Sequence, residues 1–417
     1  MLAHDFALLY EHHQPQLNPA WNAQAMKTFI AVALAATIVS SLAVARAPSG
    51  TKPAAFQLTL TISEPFIKKG KLELEVIKKS FALKTSDVTR SQKFGKISSN
   101  LEQKLTVIFK ALTREGKDAR FNLEKGSWVA RQRSAWQVDV AKTRANLLEA
   151  IKAGKPSAQV MLEVTPPKRN VKNWAEAGIT TLYGKGISSF KGSPPFRVRN
   201  IIVGASKLDN DYLDDGTELD FNASVGAINK ATGFVEGFVI IDGTLEKEDG
   251  GGICQVSTTL FRAAYNAGLP ITQRFEHSHR VHYYDPVGFE ATVYAPAKNL
   301  KFKNDSGGTL LIQAEWNEQA QTLGFYFFGH APDRQVTISK PSISNFKPAA
   351  KPSYTADPKV RLGFSRRIDL PEQGMRAQIS RHVVLKDGKV RNDILSSVYQ
   401  AWGAVFAVNP RDSRLGQ

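Results

Sequence analysis

Cysteine is almost absent from this sequence, since Cys254 is the only one in 417 residues. A single thiol cannot form an internal disulfide, so the fold has to be stable without that kind of cross-link. It also leaves no cysteine pair for a zinc finger or a dithiol redox motif. Cys254 is therefore either a small buried apolar residue or a reactive group.

Acidic residues are also scarce relative to basic ones: 38 Asp and Glu face 55 Lys and Arg, a formal net charge of +17. A chain this basic favours anionic partners such as nucleic acid, anionic lipid or an acidic cell wall. The sequence has no zinc-finger spacing, no aromatic RNA-recognition strand and no phosphate-binding P-loop. We therefore expect an anionic cell wall as partner and no nucleic acid.

Long apolar runs are missing with one exception, the 17 residues 29–45, which follow the short basic stretch Met26-Lys27-Thr28. Small residues end this run, so residues 26–47 are predicted to be a secretory signal peptide. The alternative is an uncleaved membrane anchor, for which the run is short. We expect translation to start at Met26, which makes residues 1–25 a mis-assigned extension. The rest of the chain is then extracytoplasmic, either secreted or anchored facing the cell wall.

The first predicted domain covers residues 55–165 and mixes strands with helices. Its clearest helix is 138–154, where apolar residues recur every three or four positions. The alternating run "SAQVMLEV" at 157–164 predicts a strand. Residues 165–173 contain two prolines and several polar residues, which is typical of a linker between domains.

The second predicted domain, residues 178–335, is β-rich. Strand-like runs occur at "RVRNIIVGASKL" and "GFVEGFVIIDG", and residues 309–328 form a hairpin pattern. Residues 336–417 begin with a Pro- and Lys-rich extended connector, 340–358, and end in a small β appendage. The predicted fold class is α+β: a β-rich catalytic domain with one prominent helix after the cysteine, preceded by a smaller α+β domain.

The surroundings of the cysteine favour the reactive interpretation. Gly250, Gly251 and Gly252 come just before Cys254 and let the backbone turn sharply. Helical spacing then continues over about 255–267, which places Cys254 at a helix N-terminus. Unpaired N–H groups and the helix dipole lower the pKa of a thiol at that position, which makes it a better nucleophile.

Histidines are few, and His277, His279 and His282 are three of the five that follow residue 47. We predict a strand here, in which His277 and His279 share a face and His282 points to the other. Either of the first two can then be the base for Cys254, with Asp285 or Glu290 orienting the imidazole. Two alternatives stay open, namely a zinc-like set of Cys254, His277 and His279, and plain surface histidines.

Two segments, "GGGICQVSTTLFRAAYNAGLPI" and "RFEHSHRVHYYDPVGFEATV", resemble the core of the VanW family, which is named from vancomycin-resistance gene clusters. "RVRNI", "DFN" and "GFVEGFVI" upstream also match, and the resemblance covers roughly 180–335. Residues 117–165 resemble the peptidoglycan-binding domain that often precedes such cores. The resemblance implies a cysteine nucleophile at Cys254 and a base at His277, whose pair with Ser278 matches the family pattern.

Three functions are compatible with these patterns. The resemblance favours a cysteine acyltransferase of the L,D-transpeptidase kind, which forms a thioester on Cys254 and acts on peptidoglycan stem peptides without a cofactor or a metal. Arg197 or Arg274 is predicted to bind a stem-peptide carboxylate, because a guanidinium pairs with it through two hydrogen bonds, and Ser278 is predicted to contact substrate. The alternatives are a non-catalytic wall-binding or glycopeptide-resistance accessory protein and a thiol hydrolase of the same peptides.

Overall fold

The computed structural model describes residues 55–241 and 244–415, and backbone alone for 238–241 and 244–247. The described residues belong to one compact unit. In the described part of the chain, no helix is long and apolar enough to cross a membrane. The predictions for residues 1–25 and 26–47 fall outside the described residues.

The first part of the chain is a twisted antiparallel sheet with helices on it. Its strands are β1 Gln57–Lys68, β2 Lys71–Ala82, β3 Lys117–Glu124, β4 Ser127–Arg133, β5 Ala135–Val138, β6 Ser157–Gln159 and β7 Leu162–Thr165. Its helices are α1 Thr85–Phe94, α2 Ser99–Leu112, α3 Val140–Lys152 and α4 Val171–Glu176. The main sheet has the order β2-β1-β4-β3, β6 pairs with β1 in parallel, and β5 pairs with β7.

The sequence predicts this part well where apolar spacing is regular. The helix expected at 138–154 is α3, and Gly154 follows it with a φ of +64°, as expected of a residue that ends a helix. The single strand expected at 157–164 is wrong. It divides into β6 and β7, which belong to different sheets, because the chain leaves one sheet at Val160 and joins the other.

The middle of the chain carries three helices around two small sheets and a hairpin. The helices are α5 Pro195–Ser206, α6 Phe221–Val225 and α7 Ile253–Asn266. The strands are β8 Thr181–Ser189, β9 Asp211–Leu213, β10 Glu218–Asp220, β11 Glu236–Ile241, β12 Thr244–Asp249, β13 Ile271–Gln273, β14 Lys301–Lys303, β15 Leu310–Asn317 and β16 Thr322–Gly329. An antiparallel sheet in the order β8-β16-β15-β9 packs under α7, and the hairpin expected at 309–328 is β15 with β16.

The strand expected at "RVRNIIVGASKL" is wrong, because most of this segment is helix α5. Its β-branched residues favour a strand locally, but Asn200, Ile201, Gly204 and Ala205 are buried at helical spacing. Gly204 lies against α7, where an added Cβ would be 2.5 Å from a methyl carbon of Ile253. Packing against α7 therefore overrides the local preference.

Helix α7 approaches the sheet more closely than ordinary side chains permit. A Cβ at Gly186 on β8 would lie 2.2 Å from the backbone oxygen of Thr259, and one at Gly184 would lie 2.5 Å from Cβ of Ala267. Leu260, Ala263 and Ala264 of the helix are fully buried. The strand and the helix thus pack backbone to backbone, which fixes α7 firmly on the sheet.

The last part of the chain consists of strands only, as expected for a β appendage. They are β17 Arg334–Ile338, β18 Ser342–Lys347, β19 Ser353–Ala356, β20 Ser365–Asp369, β21 Gly374–Leu385, β22 Val390–Tyr399 and β23 Val405–Val408. β21 is bordered by β17, β18 and β22, and β23 by β19 and β20. The extended connector predicted at 340–358 therefore contains two paired strands, β18 and β19.

Side chains cross the domain boundary predicted near 165–178. The Gln313 amide donates to the Phe121 carbonyl at 2.8 Å and accepts from the Phe121 N–H at 3.0 Å. Arg120 pairs with Asp209 at 3.0 Å. The division into domains at 55–165, 178–335 and 336–417 stays a prediction.

Candidate functional site

Cys254 is the second residue of α7, whose N-cap is Gly252. Gly250 and Gly252 have φ values of +91° and +116°, which side chains on L-residues rarely permit. A Cβ at Gly252 would also lie 2.8 Å from Cγ of Arg197. The glycines therefore form the tight turn that starts the helix, and the thiol is only partly buried.

Buried polar side chains hold this turn in place from two sides. Asn200 on α5 donates to the carbonyls of Gly251 at 3.0 Å and Val235 at 2.8 Å. Gln255, the residue after the cysteine, accepts from Arg197 at 2.8 Å and donates to the Ser188 hydroxyl at 2.7 Å. These hydrogen bonds fix the path of the backbone on both sides of Cys254.

The His277 imidazole lies next to the Cys254 thiol, and each of the two groups shifts the pKa of the other. The strand predicted for the histidine segment is wrong, because residues 276–281 form no strand. They belong to a loop, here called the histidine loop (residues 274–294), which isolated bridges such as Phe275 with Thr292 hold together. The loop returns from α7 to its N-terminus, as the strand was expected to do.

Glu290 lies behind His277. Its Oε2 is 3.3 Å from Nδ1 of the imidazole, which is ion-pair distance, although Nδ1 makes no well-aligned hydrogen bond. Both side chains are nearly inaccessible, at 6% and 3% exposure. The Tyr284 ring stacks on the imidazole with the ring centroids 4.7 Å apart. Cys254, His277 and Glu290 thus form a thiol–imidazole–carboxylate series, the geometry of a nucleophile, its base and an orienting group.

The three groups shift one another's pKa values in the direction that nucleophilic chemistry requires. Burial alone raises the pKa of the Cys254 thiol, but His277 together with the Thr292 hydroxyl lowers it below its usual value. Burial lowers the pKa of His277, but the Glu290 carboxylate and the thiolate raise it to about 9. Burial raises the pKa of Glu290, and the His277 charge lowers it below its usual value. The imidazolium form of His277 and the thiolate form of Cys254 therefore stabilise each other.

His279 and His282 do not join this series. The His279 ring stacks on Trp402 with centroids 3.8 Å apart, and burial together with the charge of His277 lowers its pKa to about 4. His282 is half exposed and pairs with Glu372 and Asp285. Asp285 in turn pairs with Arg280 at 2.8 Å. His277 is therefore the histidine that the fold brings to the thiol.

Residues 196–326 match the VanW family model, described as VanW like protein. This part of the chain is VanW-like. Uncharacterized protein YoaR of Bacillus subtilis (strain 168) is 36% identical over 136 residues, which cover 33% of this chain and 45% of YoaR. Vancomycin B-type resistance protein VanW of Enterococcus faecalis (strain ATCC 700802 / V583) is 27% identical over 152 residues, 35% of this chain and 54% of that protein.

The chain spans about half the length of the curated relatives it matches. A solved structure, titled "Crystal structure of HP0197-G5", aligns over 97% of its own chain and 18% of this one at 19% identity. Its TM-score is 0.10, which is too low to support a common fold. The resemblance that the glycine-cysteine motif indicates is confirmed for the VanW-like region.

The two arginines that we expected to bind a carboxylate, Arg197 and Arg274, form hydrogen bonds to other groups of the protein. The Arg197 guanidinium bonds Ser193, Gln255 and Tyr284 and stacks on Tyr283. Arg274 has a 3%-exposed side chain and donates to the carbonyls of Glu290 and Gly288 and to the Ser397 hydroxyl. These contacts give both arginines structural roles, so we do not propose that they bind the carboxylate of a stem peptide.

Ser278 lies next to the base but faces other protein groups. Its carbonyl accepts from the Gln400 N–H at 2.7 Å, and its hydroxyl is 3.4 Å from Nδ1 of His279. It is partly buried. Its expected contact with substrate stays a prediction.

Sequence reasoning missed three residues that shape the site. The Thr292 hydroxyl is 3.4 Å from Sγ of Cys254 and helps to lower the thiol pKa. Asn200 holds the glycine turn, and the buried Tyr399 lies close enough to Glu290 to lower the pKa of its carboxyl. The first two lie in the segments "FEATV" and "RVRNI", where the family resemblance was a signal. Tyr399 lies 145 positions after Cys254, beyond the VanW-like region, where no motif marked it.

Metal ligation by the cysteine and the histidines was one alternative. Within residues 55–241 and 244–415, no group of three or more His, Cys, Asp and Glu side chains is arranged to hold a metal ion. In this arrangement His277 pairs with Glu290 beside the thiol, and His279 stacks on an indole. The geometry is thus that of an acid–base pair.

Proposed function

We propose that this protein is an exported cell-envelope acyltransferase of the L,D-transpeptidase kind, acting on peptidoglycan stem peptides through a thioester on Cys254. The observation that carries the proposal is the Cys254–His277–Glu290 series at the start of α7. A thiolate and an imidazolium held together in this way are suited to attack a carbonyl carbon and then protonate the leaving group.

In the first step the Cys254 thiolate attacks the carbonyl carbon of the donor amide and forms a C–S bond. The resulting oxyanion lies near the first turn of α7, where the N–H groups of Ile253 and Gln255 already bond Gly250 and Gly252. The Cys254 N–H has no hydrogen-bond acceptor among the described residues and is our candidate donor to the oxyanion. The C–N bond then breaks, and the His277 imidazolium gives its proton to the leaving amine.

In the second step an acceptor amine attacks the thioester carbonyl, and neutral His277 takes a proton from that amine. The new C–N bond forms, the C–S bond breaks, and the pair returns to thiolate and imidazolium. Glu290 stabilises the imidazolium in both steps, because its buried carboxylate is 3.3 Å from Nδ1. Water in place of the amine would give hydrolysis by the same groups.

The cell wall as target is supported by three observations outside the site. The VanW-like region is similar to a protein whose name is Vancomycin B-type resistance protein VanW, and vancomycin resistance concerns the cell wall. The formal charge of +17 suits an anionic polymer. The signal-peptide pattern at 26–47 supports export of the chain to the outer side of the membrane.

The test uses the full-length chain, purified stem peptides and a stem peptide with a free acceptor amine. We expect a crosslinked product, and a mass increase on Cys254 equal to the acyl group when the acceptor is omitted. Cys254→Ala and His277→Ala should each lower the rate by roughly 1000-fold or more, because the pair acts as a unit. His282→Ala is the matched control and should keep most of the activity.

The product of this reaction distinguishes the proposed acyltransferase from a hydrolase and from a non-catalytic wall-binding protein. A free carboxylic acid as the only product would make the protein a thiol hydrolase of the same peptides. No acylation of Cys254 by any stem peptide, with full retention of wall binding, would overturn the enzyme proposal and leave an accessory wall-binding role.

A further inference from the structure

The C-terminal segment (residues 334–408) lies beyond the VanW-like region. It nevertheless contacts that region twice, at the C-terminal end of α7 and at the histidine loop. At the C-terminal end of α7, Arg381 on β21 donates to the carbonyls of Tyr265 at 2.7 Å and Leu269 at 2.5 Å. Arg334 and Arg391 both donate to the Gly268 carbonyl. Three guanidinium groups thus cap the negative end of the helix that carries the thiol.

The same segment lies against the histidine loop near the thiol. Tyr399, at the end of β22, is 2% exposed, and its hydroxyl accepts from the Gly288 N–H at 2.8 Å. Burial, together with the charge of the nearby Glu290 carboxylate, raises the pKa of this hydroxyl. Val287 of the loop packs with Met375 and Tyr399 in one buried cluster. A Cβ at Gly288 would lie 2.9 Å from a methyl carbon of Ile379 on β21, so the contact is close.

The residues just after Tyr399 continue this contact toward the histidines. The Gln400 N–H donates to the Ser278 carbonyl at 2.7 Å, and the Trp402 ring covers the His279 ring. Ser278 and His279 directly follow the base in sequence. The loop therefore gets its position near the thiol from the C-terminal segment as well as from its own bridges.

We infer that the C-terminal segment is a positioning part of the Cys254 site, and that Tyr399 orients Glu290, which in turn holds His277 against the thiol. This inference goes beyond the matched family region and rests on the proposed function only for its catalytic meaning. A carboxylate with two oxygens can rotate, and a buried hydroxyl that donates to one of them fixes which oxygen faces the imidazole. The Tyr399 hydroxyl is therefore expected to set the reactivity of the thiol without touching it.

Several other charged or titratable groups surround the pair and are left in place by a change at Tyr399. Arg274 donates to the Glu290 carbonyl, Tyr284 stacks on His277, and His279 is close enough to feel the charges of His277 and Glu290. Arg197 bonds Tyr284. A change that removes only the Tyr399 hydroxyl therefore reports on the link between Tyr399 and Glu290.

The test measures the rate at which iodoacetamide alkylates Cys254 in the full-length protein, from about pH 5 to about pH 10. Tyr399→Phe should raise the thiol pKa, because the imidazolium is less well held, and should slow alkylation near neutral pH by about threefold to tenfold. Glu290→Gln should slow it by at least as much. The double variant should be no slower than Glu290→Gln, because Tyr399 acts through Glu290.

Tyr354→Phe is the matched control, since it removes a tyrosine hydroxyl from β19 of the same segment, and it should leave the profile unchanged. An unchanged profile in Tyr399→Phe, or effects that multiply in the double variant, would overturn the inference. The probe is a small alkylating reagent, so the result does not depend on peptide turnover. A shifted profile in a protein that never forms a thioester would therefore support this inference while the proposed function fails.

Discussion

Glu290 is the residue on which the charge state of the pair depends. It is buried beside His277, and its carboxylate overcomes the burial that would otherwise keep the imidazole neutral. The His277 pKa of about 9 means that the imidazolium is present below that pH and is lost as the pH rises through it. Over the whole neutral range the thiol therefore lies beside a positively charged imidazolium.

Replacing Glu290 with glutamine should lower the pKa of His277 by roughly 1 to 3 units, because the carboxylate charge that favours the imidazolium is gone. The measurement is an NMR titration of the protein with isotope-labelled histidine. Glu276→Gln is the matched control: Glu276 is next to His277 in sequence, but its side chain is directed to Arg274 and the Val398 N–H. An unchanged titration of His277 in Glu290→Gln would contradict the geometry.

His279 should make the protein sensitive to acid. Its folded pKa of about 4 is below the ordinary value of 6.5, so on acidification the unfolded chain takes up a proton that the folded chain does not. Stability is lost as the pH falls from 6.5 towards 4. The difference of about 2.5 units corresponds to roughly 3 kcal/mol.

His279→Phe keeps a ring against Trp402 and removes the titrating group. As the pH is lowered from neutral to about 4, the parent should lose about 3 kcal/mol of stability that the His279→Phe variant keeps. Urea unfolding at several pH values measures this, with His382→Phe, at an exposed position on β21, as the control. If the free energies of unfolding of His279→Phe and the parent changed equally with pH, His279 would not be buried as described.

At the scale of elements, the glycine turn and α7 were predictable from the sequence, and the surroundings of α7 were not. Three consecutive glycines and a regular apolar stripe are local signals, and the helix Ile253–Asn266 begins within two residues of its expected start. Helix α5 and the histidine loop were misread as strands. Their conformations depend on packing against α7 and on the C-terminal segment, which lie far away in sequence.

Gly252→Ala should destabilise the protein by about 2 to 4 kcal/mol, since it adds a contact with Arg197 to the strain of a φ of +116°. Gly192→Ala is the matched control: its φ is +79°, but nothing lies within 4 Å of an added Cβ. It should cost only about 1 kcal/mol. Denaturant midpoints of the two variants measure the difference, and equal losses would mean that the turn tolerates a side chain.

At the scale of the whole molecule, the Gln313 side chain joins the first and middle parts of the chain by bonding backbone groups of strand β3. Gln313 is fully buried and bonds both the N–H and the carbonyl of Phe121. Gln313→Ala would leave two backbone groups without partners. We expect a loss of about 2 to 5 kcal/mol and a first unfolding step that separates the two parts.

Limited proteolysis and urea unfolding followed by tryptophan fluorescence measure this loss. Gln137→Ala is the control, because the Gln137 amide pairs with Glu163 on an exposed strand. If Gln313→Ala unfolded in a single transition at the parent's midpoint, the contact would contribute nothing to holding the two parts together.

The order in which the chain is made gives the C-terminal contacts one more consequence. Cys254 and His277 are synthesised long before Tyr399 and Trp402, which come within the last 20 residues of the 417. A growing or shortened chain thus carries the thiol without the tyrosine that orients its carboxylate. On our inference, the cysteine becomes fully reactive only once β22 and the residues that follow it have been made and have folded against the histidine loop, so the thiol of a growing chain stays less reactive without a separate inhibitor.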